Sequence, residues 1–113
     1  MKDLKISKEL LENVLDFKIE KFQVIGTLKV TQIRIWKENN YSDFLNDYCI
    51  DIHHFAFKCK EWAFKRGLNL WTDYLGNCQI QDKDFQLLHD CYSDTEIKVI
   101  IKASEWVLSE VNK

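Results

Sequence analysis

The sequence predicts an α+β fold: a single domain in the order α-β-β-α-β-β-α, with a mostly antiparallel four-stranded sheet and helices packed on it. Three observations lead there. Residues 51–67 and 95–111 carry apolar side chains at the helical period. Two pairs of short apolar segments are each divided by a glycine-containing turn, which is the pattern of hairpins. The chain has 113 residues, 46% of them hydrophobic, with no low-complexity tract, enough to bury one modest core without staples.

The elements follow in order. Ser7 is placed to cap a short helix over 8–16, with Glu9 in its first turn and Leu10, Leu11, Val14 and Leu15 on one face. From Phe17 the period shortens. Phe17, Ile19, Phe22 and Val24 predict a strand, Gly26-Thr27 a two-residue turn, and Leu28, Val30, Ile33, Ile35 and Trp36 the returning strand. The apolar parity slips between Ile19 and Phe22 and again between Val30 and Ile33. A bulge or burial on both faces would each explain it. The polar run over 37–47 predicts a loop.

The central helix, 51–67, is the clearest element. Ile52, Phe55, Ala56, Cys59, Trp62, Ala63 and the stem of Arg66 form an apolar stripe roughly 120° wide. Asp51 is placed as its N-cap and Gly67 as the C′ residue, with Lys65 and Arg66 suited to the C-terminal dipole. Phe57 and Phe64 do not fit that stripe. They are seven residues apart, on one line facing well away from the core, with His53 and Lys60 or Glu61 beside it. Cover by another segment of the same chain is the ordinary explanation of such a line, and a docking surface is the other.

Segments 68–72 and 78–81, joined by DYLGN, predict a second hairpin. Residues 85–91 read as one or two helical turns. Asp94 or Thr95 caps the last helix, which is apolar over more than half its girth. Its excess lies at Val99 and Trp106, a second line offered for docking or for self-association about a two-fold axis. The predicted core comprises Leu11, Val14, Leu15, Phe55, Ala56, Cys59, Trp62, Ala63, Ile100 and Val107. The frame K-x-x-E-W occurs twice, at 58–62 and 102–106, too short to indicate duplication.

The composition narrows the function. A formal net charge of −2 supplies no overall attraction to nucleic acid or anionic lipid. No stretch approaches the roughly 18 apolar residues of a membrane span, and the first residues lack the apolar region of a secretory signal. Cys49, Cys59, Cys78 and Cys91 have no C-x-x-C spacing, so free thiols and a cytoplasmic location are expected.

No metal site is expected. His53, His54 and His89 join the four Cys as ligand types, but C-x3-H and H-x4-C are not structural zinc spacings. No catalytic residue or cofactor site is expected either. No glycine elbow exposes a thiol, no glycine-rich loop cradles phosphate, and Asp82, Asp84, Asp90 and Asp94 suit turns. Nucleic acid is the runner-up partner. Lys58, Lys60, Lys65 and Arg66 accompany Phe57 and Phe64, and Arg34, Trp36 and Lys37 end a strand, though Glu61 interrupts the first set.

The runs Ile6-Ser-Lys-Glu-Leu-Leu11, Lys58-Cys-Lys-Glu-Trp-Ala63 and Glu105-Trp106 occur in the order seen in a group of small bacterial and prophage-type proteins, which this chain resembles. The resemblance touches both ends and the middle and carries no catalytic residue over. It implies an accessory protein of bacterial or mobile-element origin that binds another macromolecule, a phage-borne inhibitor of a host defence enzyme being one form. The reading is therefore a non-enzymatic protein-binding protein. Its expected partner-binding residues are Phe57, Phe64, His53, Lys60, Lys65 and Trp106, and its partner is a foreign protein or a second copy.

Overall fold

The computed structural model describes residues 4–26, 30–38 and 47–111. They form three helices and two three-stranded antiparallel sheets, so the α+β class holds. The predicted single four-stranded sheet and the order α-β-β-α-β-β-α do not. The order is α-β-β-β-α-β-β-β-α, each half carrying one strand more than expected. The chain divides into two compact units, Met1–Phe55 and Ala56–Lys113.

In the first unit, α1 (Lys8–Leu15) starts where Ser7 Oγ accepts from the Leu10 N–H at 3.0 Å. It ends at Asp16, left-handed at φ 62, whose N–H donates to the Glu12 carbonyl. The Glu12 carboxylate in turn accepts from the Ile19 N–H at 2.8 Å, tying the helix to the start of β1 (Ile19–Gly26). Leu10 and Leu11 are buried, whereas Val14 and Leu15 are only half-buried and contribute less to the core than their spacing suggests.

β1 pairs with β2 (Thr31–Lys37), and β2 with β3 (Asp47–Asp51). The register shifts between Ile19 and Lys21, which leaves Glu20 as the extra residue. That bulge explains the first parity slip. Ile19 faces inward before it, and Phe22 and Val24, opposite Ile35 and Ile33, follow on the inner face after it. The second slip is a boundary effect, because Val30 precedes β2. Gly26, expected in a two-residue turn, is instead the last residue of β1 and pairs with Thr31, while Thr27, like most of the 37–47 loop at residues 39–46, lies outside the described residues. β3 was not anticipated. Its first residue lay in the polar stretch, and its last, Asp51, does cap the next helix, its Oδ1 accepting from the His53 N–H at 2.8 Å.

α2 (Ile52–Lys65) begins in the first unit and continues in the second. Six of the seven residues of its predicted stripe are buried, whereas Arg66 follows the end of α2 and is exposed, its guanidinium 4.3 Å from the Trp62 ring centroid. Gly67 closes it at φ 81, with its N–H on the Phe64 carbonyl at 2.9 Å.

In the second unit, β4 (Leu68–Thr72), β5 (Asn77–Asp82) and β6 (Leu87–Tyr92) form a meander. Leu70, Ile80 and His89 lie in one cross-strand row, and Thr72, Cys78 and Cys91 in the next. α3 (Glu96–Val111) lies across all three strands. Thr95 is its cap, with Oγ1 accepting from the Lys98 N–H at 3.2 Å, while Asp94 holds the Lys98 ammonium at 3.0 Å.

The two hairpin loops repeat one design. Asp73 Oδ1 accepts from the N–H groups of Leu75 and Asn77, and Asp82 Oδ1 from those of Asp84 and Gln86. The fourth loop residue is left-handed in both: Gly76 at φ 93 and Phe85 at φ 63. β6 replaces the helical turns expected over 85–91. Its alternation was hidden because exposed positions carry Leu87, Leu88 and Tyr92 while His89 and Cys91 face inward.

Candidate functional site: the exposed face of α2

Phe57 and Phe64 are 61% and 67% exposed, so among the described residues no segment covers the line they form. Two residues seven apart differ by only about 20° around a helix, and both rings therefore emerge on one side of α2. Lys65 is exposed and Lys60 half-buried. Lys60 is also close enough to Cys78 of β5 for its charge to draw that thiol's pKa downward against the larger effect of burial.

Beside Phe64 the end of α2 and the start of β4 enclose an open depression of about 320 Å³, lined by Lys60, Glu61, Phe64, Lys65, Leu68, Asn69 and Leu70. Three of those seven, the β4 residues, were anticipated as strand but not as part of a site. Sequence spacing within one helix carries no signal of what the next strand brings alongside it. Phe57 lies about two turns N-terminal to Phe64 and does not line the depression.

Neither His53 nor Trp106 lines the depression. His53 belongs to the first unit, exposed, with its ring Nδ1 3.3 Å from Asp51 Oδ1. The His53 N–H bond to that carboxylate holds Asp51 below the usual carboxylate value. Trp106 is half-buried and stacked on His89, with centroids 4.6 Å apart and planes 4° from parallel, and it does not line the depression. The second expected line fails, because Val99 is fully buried and most of the apolar girth of α3 is consumed inside the chain.

The outer face of the second sheet is a further exposed surface, unread in the sequence. Trp71 (58% exposed) stands opposite Gln79, and Tyr92 (63%) opposite Asn77; Trp71, Asn77 and Gln79 help to line a shallow depression of about 230 Å³.

The basic and aromatic residues near the end of β2 are split by the strand pleat. Trp36 lies between Lys21 and Arg34, each 4.8 Å from its ring, on one face. Lys37 sits over Phe17 and Tyr48 on the other, at 4.6 and 5.4 Å. These cations are already engaged with rings of the same unit.

All four thiols are free. Cys59 is buried beside Ser104, and burial pushes its pKa up to about 12. Cys78 and Cys91 are register partners on β5 and β6. Burial raises both, Cys78 to about 12. Such thiols are poor nucleophiles at neutral pH. Among the described residues no three His, Cys, Asp or Glu side chains gather as metal ligands would, and no helix is long and apolar enough to cross a membrane. The chain matches no family model, no curated protein and no solved structure.

Proposed function

We propose that this chain is a non-enzymatic protein-binding module that docks through the exposed face of α2. The observation that carries the reading is the solvent exposure of Phe57 and Phe64 on one line of a helix whose opposite stripe is fully buried. Large aromatic side chains left in water beside an apolar depression are the anchors that dominate protein interfaces. Lys60 and Lys65 form the rim. His53 and Trp106 do not line the depression and are not retained as its anchors. The likeness of its three sequence runs to small bacterial and prophage-type proteins supports an accessory role, an inhibitor of a host defence enzyme being one form. Reduced thiols suit the cytoplasm, where we place it.

A nucleic-acid partner has less support, because Trp36 and Lys37 lie on opposite faces of their sheet. The test is quantitative affinity capture from the native host with wild type and with the double variant Phe57→Ser, Phe64→Ser. A stoichiometric protein should be lost with the variant while its circular dichroism and melting stay near wild type. Sedimentation of the purified chain tells a second copy from a foreign partner. Unchanged capture and unchanged sedimentation, or an unfolded variant, would refute the reading.

A further inference from the structure

Resting on that docking reading, we infer that the depression beside Phe64 takes an acidic protein segment, with one apolar side chain on Phe64 and Leu68 and its carboxylates on Lys60 and Lys65. Charge points to it first. Between Ala56 and Gly67 the chain carries Lys58, Lys60, Lys65 and Arg66 against Glu61 alone, although the whole chain has a net charge of −2. The cations are thus concentrated on the element that also exposes the two rings. Neither Lys60 nor Lys65 is ion-paired among the described residues. Glu61, placed one helical turn before Lys65, does not bridge to it. Both ammonium groups therefore remain available to a partner's carboxylates.

Shape points the same way. The wall is apolar at Phe64, Leu68 and Leu70, and the cations flank it. A space of about 320 Å³ is at the small end of ligand pockets, which run about 300–1,000 Å³, and suits one or two side chains rather than a large cofactor. Lys60 is only half-exposed, so carboxylate contact there forms partly away from bulk water, where it discriminates more between charged and neutral partners. A nucleic-acid strand fits less well. It would present phosphates to Glu61 as well as to the lysines, and the concave wall has no second ring for base stacking, since Phe57 does not line it.

The experiment uses the full chain and short fluorescein-labelled peptides that share the same Leu and Phe residues but differ in flanks: Asp/Glu, Asn/Gln or Lys. A labelled oligothymidylate strand is the fourth probe. The acidic peptide should bind about tenfold or more tighter than the neutral one. Lys60→Glu with Lys65→Glu should remove that preference, and Lys60→Gln with Lys65→Gln should reduce it, with melting unchanged. Equal binding of acidic and neutral peptides, an acidic preference that survives the charge reversal, or tighter binding of the oligonucleotide would each overturn the inference. If no peptide binds while Phe57→Ser, Phe64→Ser still loses its captured partner, the acidic-segment inference fails and the docking reading stands. If that capture is unaffected, the docking reading fails.

Discussion

Replacing Gly76 by Ala should be among the most damaging single changes in the second unit, and the cost can be worked from its surroundings. Gly76 is buried at φ 93, a conformation that L side chains rarely adopt, and forcing Ala there costs about 1–2 kcal/mol. A Cβ at this position would lie 2.0 Å from the Ser93 carbonyl oxygen and 2.9 Å from its carbon. These are backbone atoms, so no side-chain rotation relieves the overlap. The segment linking β6 to α3 must move, and the bond from the Ser93 N–H to the Gly76 carbonyl, 2.8 Å long, stretches with it. Disrupting a buried backbone pair costs about 1–3 kcal/mol more. The total is about 2–5 kcal/mol, a large part of the 5–15 typical of a domain. Gly67 is the internal control. It has a similar φ of 81 but nothing within 4 Å of its Cβ position, so Gly67→Ala should cost only about 1–2 kcal/mol. Urea melts of both variants with equal slopes give the comparison. If Gly76→Ala is no more destabilising than Gly67→Ala, the close approach of the Ser93 carbonyl is not a real constraint on the loop.

Phe85→Gly should act in the opposite direction. Phe85 is left-handed at φ 63 and 65% exposed, so the change relieves about 1–2 kcal/mol of strain, loses little packing and costs about 0.5–1 in unfolded-chain entropy, a net gain of up to about 1 kcal/mol. A lower melting temperature would show that the ring packs usefully. Cys59 should make the fold weaker in alkali. Its folded pKa of about 12 lies above the ordinary value of 9.0, so the unfolded chain releases that proton first. The stability it confers is full below pH 9 and declines from there toward 12, by about 1 kcal/mol at pH 10. Cys59→Ala should flatten that part of the stability–pH curve, and an unchanged slope would mean that the thiol already ionises in the folded chain.

The sequence by itself determined the elements whose reasons are local. Ser7, Thr95 and Asp51 cap helices because a short polar side chain can reach a free N–H two or three residues on. The stripe from Ile52 to Ala63 and the placing of Phe57 and Phe64 away from it follow from helical period, which left open whether those two rings are covered. The loops at Asp73 and Gly67 were legible from residue type. Tertiary structure decided what depends on contact between distant segments. β3 and β6 carry too little alternation to announce themselves, and each exists because a neighbouring strand offers its unpaired backbone edge. Each hairpin thereby gains a third strand. Val99 is buried although its helix position resembled an exposed line, because burial is set by what packs against a helix and not by the helix. The depression beside Phe64 is likewise a tertiary product. One helix supplies its ring and its lysines and one strand supplies the rest of its apolar wall, and no spacing rule relates the two.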